Sequence, residues 1–199
     1  MTARLVLATR NAHKVGELAE ILGAAGLDVE LLPLEDDAPE VVEDGLTFAD
    51  NALKKARSAA SATGLPSVAD DSGLCVDALN GMPGVFSARW AGTGRDDAAN
   101  LALVLDQVAD VPDESRGAHF VCAAAVALPS GEERVVEGRV SGTLIRAPRG
   151  TGGFGYDPAF VPLGHELTTA EMSAEEKNAI SHRGKAFRAL APVLRDLIG

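Results

Sequence analysis

Leu5-Val6-Leu7-Ala8-Thr9-Arg10-Asn11-Ala12-His13-Lys14 takes the chain from an apolar run straight into a polar loop. Four consecutive apolar residues bounded by polar ones suit a buried strand. Beyond the loop, Val15, Leu18, Ala19 and Leu22 recur at helical spacing, and Gly26 supplies a stop. A second β-type run, Val29 to Leu32, follows. Strand, loop, helix and strand in that order predict an α/β sheet, with a ligand loop at the carboxyl end of the first strand.

Further along, residues 34–45 are acidic and include Pro39, which reads as an exposed connection. Thr47-Phe48-Ala49-Asp50 has the spacing of a capped helix start, and an Ala-rich helix runs from there to about Ala62. An apolar strand from Leu65 to Ala69 ends at an acidic pair, Asp70-Asp71. Gly81 to Gly84 is a turn, and Asp96 to Val108 is a helix. His119 to Leu128 and Glu133 to Val140, joined by Pro129-Ser130-Gly131, predict a hairpin. Residues 150–158 are glycine-rich, Ser173 to Glu176 has capping-box spacing, and Phe187, Leu190, Val193, Leu194 and Leu197 mark a final amphipathic helix.

Composition limits the function classes. With 199 residues, 46% of them hydrophobic and 24% charged, the chain is long enough for a full globular core over residues 1–199, in one or two closely joined lobes. Lys plus Arg number 18 against 29 Asp plus Glu, a net charge of −11. That balance opposes a nucleic-acid polymer, whose affinity rests on many Lys/Arg–phosphate contacts. A small anionic ligand is compatible, because a few cations can converge in one cleft of an acidic protein. Cys75 and Cys122 sit in apolar surroundings without metal-ligand spacing, as buried reduced thiols do. No apolar run approaches a membrane span and no signal-peptide core is present, so a soluble cytoplasmic protein without a membrane partner is expected.

Ala69-Asp70-Asp71-Ser72-Gly73 admits three readings: a Mg²⁺-binding edge, an aspartic-protease loop, or a polar turn after a buried strand. Adjacent carboxylates aimed at one spot require a cation or a shared proton. The protease reading needs two Asp-Ser-Gly loops, and the chain has one amid an α/β pattern. Gly150-x-Gly152-x-x-Gly155 matches a dinucleotide fingerprint in letters only, since Tyr156-Asp157-Pro158 follows where a helix should open. No P-loop or nucleophile-elbow motif occurs.

Cationic loops flank the acidic pair. Thr9-x-Asn11-x-x-Lys14 ends a strand and begins a helix, where backbone N–H groups favour phosphate. Glu43 precedes Gly45, Lys55 follows on a helix, and Lys177 with Ser181-His182-Arg183 surrounds one interhelix turn. Taken singly, each is equally a helix cap, a solvated charge or a helix start. Together, Thr9-x-Asn11-x-x-Lys14, Ala69-Asp70-Asp71-Ser72-Gly73-Leu74, Gly152-Gly153-Phe154-Gly155-Tyr156-Asp157 and Glu176-Lys177-Asn178-x-x-Ser181-His182-Arg183 occur in an order that resembles the inosine triphosphate pyrophosphatase family, the noncanonical purine NTP pyrophosphatases. The resemblance runs from Leu5 to the last helix. Arg10 and His13 stand where bacterial members often carry smaller residues, so the resemblance carries over the loop's backbone and leaves their side-chain roles open.

The resemblance implies an α/β fold with a central mixed sheet and flanking helices, in two lobes with a nucleotide cleft between them, and a homodimer. It implies Mg²⁺-dependent hydrolysis of ITP, dITP and XTP to the monophosphate and pyrophosphate. By the same resemblance Asp71 is metal ligand and proton acceptor, Glu43 is a second metal ligand, and Asp70 holds metal directly or through water. Thr9, Arg10, Asn11, Ala12, His13, Lys14, Lys55 and Ser72 would hold the triphosphate. Phe154 would stack on the base, with Gly155, Tyr156 and Asp157 shaping its pocket and Lys177, His182 and Arg183 approaching base and phosphates. Donors such as the Arg183 guanidinium would favour the 6-carbonyl of hypoxanthine and xanthine over the amino group of adenine, since a mismatched site leaves buried groups unpaired. Two other readings stay open: a nucleotide sensor without catalysis, and a related pyrophosphatase acting on modified pyrimidines.

Overall fold

Strand β1 (Ala3–Leu7) is buried on both faces over Leu5, Val6 and Leu7, as a central parallel strand must be. The structure is a computed structural model; it describes residues 3–9, 12–35, 38 and 40–198, and of residues 12–14 and 17 the backbone alone. Helix α1 (Ala12–Ala24) buries Leu18 and Leu22, and Gly26 beyond it takes φ +72°, a left-handed stop. Its apolar stripe is rotated from the expected one: Ile21 and Ala25 pack on the core while Ala19 is exposed. Strand β2 (Val29–Pro33) then runs parallel to β1, with Leu5 opposite Leu31.

Helix α2 (Phe48–Thr63) starts in the expected capping box. The Asp50 N–H donates to Thr47 Oγ1 and the Thr47 N–H donates to the Asp50 carboxylate, both at 3.1 Å. It buries Phe48, Asn51, Ala52, Ala56, Ala59 and Ala60, a face whose small side chains permit close approach. Strand β3 (Ser67–Val76) pairs parallel with β1 on the edge opposite β2, with Leu7 opposite Val68.

After helix α3 (Asp97–Gln107) come strands β4 (Gly117–Ala127) and β5 (Glu133–Leu144), joined by the expected tight turn in which the Gly131 N–H donates to Leu128 O. Strand β6 (Phe160–Pro162) is antiparallel to β5, and helices α4 (Ala174–Ile180) and α5 (His182–Ile198) complete the chain. The strand order β2-β1-β3-β4-β5-β6 makes one mixed sheet, the α/β class expected. The Gly150–Gly155 loop leads through a single helical turn into β6, so the dinucleotide-fingerprint geometry is absent there.

The chain divides into two units. The first holds residues 1–71, 122–138 and 183–199, and its core joins Leu5, Leu7, Leu18 and Leu22 to Phe187, Leu190 and Leu194 of α5. The second holds residues 72–121 and 139–182, with a core of Leu74, Val76, Val104, Leu144, Tyr156 and Phe160. Within that second unit Arg116 is buried, its guanidinium donating to the carbonyls of Leu144, Val108 and Ile145. Among the described residues no helix is long and apolar enough to cross a membrane.

One local expectation fails. The strand expected to end at Ala69 continues to Val76, so Asp70 and Asp71 lie inside β3 and are not a loop beyond it. Leu74, Cys75 and Val76 are buried, and continuing the ladder satisfies their backbone groups without water. Because side chains alternate along a strand, neighbouring acids point to opposite faces. The premise of two carboxylates aimed at one spot is overturned.

Candidate active site

Strand order places the acidic strand. The chain crosses from β1 to β2 on one side and from β2 to β3 on the other, so the order reverses beside β1, at whose carboxyl end an open α/β sheet takes its ligand. Ala8 donates its N–H to Val68 O at 2.7 Å, two residues before Asp70, so the polar loop leaves β1 at Thr9 alongside the acidic pair. Arg10 and Asn11 lie outside the described residues. Ala12, His13 and Lys14 form the first turn of α1, and their side chains also lie outside the described residues.

Asp71 faces α2. Lys55 Nζ stands 3.1 Å from Asp71 Oδ1 and 3.1 Å from Glu43 Oε1, one ammonium bridging two carboxylates from separate elements. Asn51 Nδ2 donates to Asp71 Oδ2 at 3.2 Å, while Asn51 Oδ1 accepts from the Gly45 N–H at 2.8 Å. One buried amide therefore ties the loop carrying Glu43 to the strand carrying Asp71. Gly45 is required for that approach, since a Cβ there would lie 2.5 Å from Asn51 Oδ1. Burial, reinforced by the charge of Glu43, pushes the Asp71 carboxyl above its ordinary value although Lys55 and Asn51 oppose the shift. Burial alone would depress Lys55, but Asp71, Glu43 and Asp70 together outweigh it and hold the ammonium above its ordinary value.

Asp70, on the other face, is 5% exposed. Arg183 Nε on α5 donates to its Oδ2 at 3.1 Å, and the Cys122 thiol lies 4.0 Å from the same oxygen. A carboxylate so placed is committed to a buried ion pair.

The second unit assembles a different group. Phe154 is 64% exposed, and Lys177 Nζ stands 4.9 Å from its ring centroid in a cation–π contact. Asp157, expected to shape the base pocket, accepts from three protein donors: the Phe154 N–H at 2.8 Å, Thr169 Oγ1 at 2.8 Å and Lys177 Nζ. Tyr156 is buried and its hydroxyl donates to Ser87 O at 2.7 Å, so the ring is a wall and its polar end is used internally. Burial, with Asp97 adding to it, drives that phenol strongly upward, and it stays neutral. The Gly155 N–H donates to Asp97 Oδ2 at 3.0 Å. His182 opens α5 with its ring stacked on Phe120, centroids 4.9 Å apart. Ser72 is half-buried on β3.

Three residues of these groupings escaped the sequence reading: Asn51, Thr169 and Asp97. Asn51 did leave a signal, as the single polar residue on the Ala-rich buried face of α2. Asp97 looks like a second helix cap beside Asp96, and Thr169 has no marker at all.

The acid pair Glu43–Asp71 suits a divalent cation chemically. Both are hard oxygen donors of the kind such an ion takes, and they meet on the one Lys55 ammonium.

Known proteins resemble this chain over nearly its whole length. The Ham1 family model matches residues 5–193. A Streptomyces coelicolor protein named dITP/XTP pyrophosphatase is 65% identical over 98% of this chain and 99% of its own length. The crystal structure of a nucleoside-triphosphatase, dITP/XTP pyrophosphatase, from Mycobacterium abscessus shares 56% identity with a TM-score of 0.82, covering 96% of this chain and all of that one. A HAM1 protein from Coxiella burnetii superposes with a TM-score of 0.90 at 42% identity, over 98% of this chain and 100% of that one. Sequence, fold and the full length of the match agree, and the chain belongs to the Ham1 family.

Proposed function

We propose that this protein hydrolyses noncanonical purine nucleoside triphosphates, ITP, dITP and XTP, to the nucleoside monophosphate and pyrophosphate, cleansing the nucleotide pool. The observation that carries the reading is the Lys55 bridge between Glu43 and Asp71, in a chain whose relatives are named dITP/XTP pyrophosphatases. Glu43 and Asp71 would hold Mg²⁺, which supplies charge neutralisation on the phosphate oxygens and an acidified water. Asp71, its carboxyl raised from the ordinary value by burial, accepts the proton of the attacking water. The water oxygen bonds to a phosphorus of the α–β anhydride, the bond from that phosphorus to the bridging oxygen breaks, and the nucleoside monophosphate and pyrophosphate separate, the bridging oxygen staying with the leaving group. Lys55, Ser72 and the loop from Thr9 through Arg10, Asn11, Ala12, His13 and Lys14 hold the triphosphate, the loop chiefly through its backbone N–H groups.

Phe154 supplies a stacking face for the base, with Lys177 beside it. Asp157 and Tyr156 act by shaping the loop that carries Phe154, a role supported by their internal hydrogen bonds. Arg183 and His182 approach the base and phosphates. Asp70 is the anchor of Arg183, because a carboxylate in a buried ion pair is a poor additional metal ligand. The working protein is a cytoplasmic homodimer with no nucleic-acid polymer or membrane partner, consistent with a net charge of −11.

The test is pyrophosphate release with Mg²⁺ across ITP, dITP, XTP, GTP, ATP and UTP. Release is expected from the first three, with little from ATP or UTP. Equal rates on all six would remove the specificity, and tight ITP binding without product would make the protein a sensor.

A further inference from the structure

We propose that Asp97 is a positioning residue for the aromatic face at Phe154, acting through the Gly155 N–H. The inference rests on the reading that Phe154 stacks on the base. A phenyl ring 64% exposed, with the Lys177 ammonium 4.9 Å from its centroid, is held little by packing, so its direction depends strongly on its own backbone. That backbone is pinned on both sides. The Phe154 N–H donates to Asp157 Oδ2 at 2.8 Å and the next N–H, of Gly155, donates to Asp97 Oδ2 at 3.0 Å. Flanking glycines allow two successive N–H groups to reach carboxylates, with Gly153 at φ +70° and Gly155 at φ +60°. A Cβ at Gly153 would strike Asp157 Oδ2 at 2.2 Å.

The two clamps differ in kind. Asp157 is local, buried, and shared with Thr169 and Lys177. Asp97 comes from 58 residues away and ties the loop to a separate frame. Its helix is anchored by Asn100, whose Oδ1 accepts from the Ala91 N–H at 2.6 Å and whose Nδ2 donates to Ala88 O at 3.3 Å. Asp96, not Asp97, caps that helix by accepting from the Ala99 N–H, so helix capping does not account for Asp97. The Asp157 N–H also donates to the Phe154 carbonyl at 3.3 Å, so the peptide after Phe154 is held at its oxygen from within the loop and at its nitrogen by Asp97, a hold that reaches outside the loop.

The experiment is steady-state kinetics with dITP and Mg²⁺ on Asp97→Ala, Asp97→Asn, Phe154→Ala and the double variant Asp97→Ala/Phe154→Ala. Loss of one backbone hydrogen bond predicts a rise in KM of about fivefold for Asp97→Ala, with kcat within about twofold. Asp97→Asn retains an acceptor oxygen and should stay near wild type. In the Phe154→Ala background the Asp97→Ala change should add nothing, because the ring it orients is gone. Phe154→Ala with unchanged KM would overturn the base-stacking reading and the proposal with it. A raised KM in Phe154→Ala but not in Asp97→Ala, a full fivefold effect of Asp97→Ala that persists without the ring, or a fall in kcat alone would overturn the Asp97 proposal and leave the base reading standing.

Discussion

Adjacent acids on opposite faces of one strand should respond oppositely to neutralisation. Asp70 is paired with Arg183 at 3.1 Å, with side-chain exposures of 3% and 11%. Two unit charges about 4 Å apart attract by about 4 kcal/mol at an effective dielectric of about 20. Asparagine keeps an acceptor for Nε and returns about 1 kcal/mol of that. Asp70→Asn should therefore destabilise the fold by about 3 kcal/mol, inside the range of about 3–5 kcal/mol for breaking a buried pair. Asp71 is the reverse case. Its carboxyl is raised by burial and by Glu43, so its charged form is a net cost to the metal-free fold, and Lys55 keeps Glu43 as a partner when Asp71 is neutralised. A raised carboxyl contributes stability that is fully present below its unfolded value, about 3.9, and is lost as pH rises through the folded value. At neutral pH Asp71→Asn should be as stable as wild type or more so, with the gap closing in acid, while turnover falls by orders of magnitude. Urea denaturation at pH 7 without metal reads both variants, and a loss of about 3 kcal/mol lowers the midpoint by about 1 M. If Asp70→Asn unfolds with wild-type stability, or Asp71→Asn proves the weaker of the two, the opposite-face account is wrong.

Other outcomes follow from the same geometry. At subsaturating Mg²⁺, turnover should decline on the acid side, because protons compete for the raised Asp71 carboxyl; more Mg²⁺ should move that limb to lower pH, and a limb indifferent to metal would refute the ligand assignment. Gly45→Ala places a Cβ 2.5 Å from Asn51 Oδ1 and should weaken Mg²⁺-dependent activity more than stability, measured by metal titration of turnover beside thermal melting. Arg116→Met removes three guanidinium hydrogen bonds, to the carbonyls of Leu144, Val108 and Ile145, at about 1 kcal/mol each and should cost about 3 kcal/mol in denaturant unfolding, with KM for dITP unchanged in the folded fraction.

The strand-loop-helix-strand opening, the Thr47 capping box, the hairpin around Gly131 and the inward face of α5 were all legible in the chain, because each is a local pattern of period or cap. Glu43, Lys55 and Asp71 were each marked as candidates by residue type, without any sign that they meet. Local pattern failed at Asp70-Asp71, where a polar pair looked like a strand end. Those acids could remain in a buried strand because Lys55 sits 16 positions before Asp71 in the chain and Arg183 sits 113 after Asp70. The partners of Asn51, Asp97 and Thr169 were illegible for the same reason: each hydrogen bond joins segments that only the folded chain brings together. The sequence by itself determined the α/β class and the acid and cation inventory, since these depend on residue type and short-range spacing. Only the tertiary structure decided that Asp71 meets Lys55 and Glu43 while Asp70 meets Arg183, because a pleated strand sends neighbouring side chains to opposite faces.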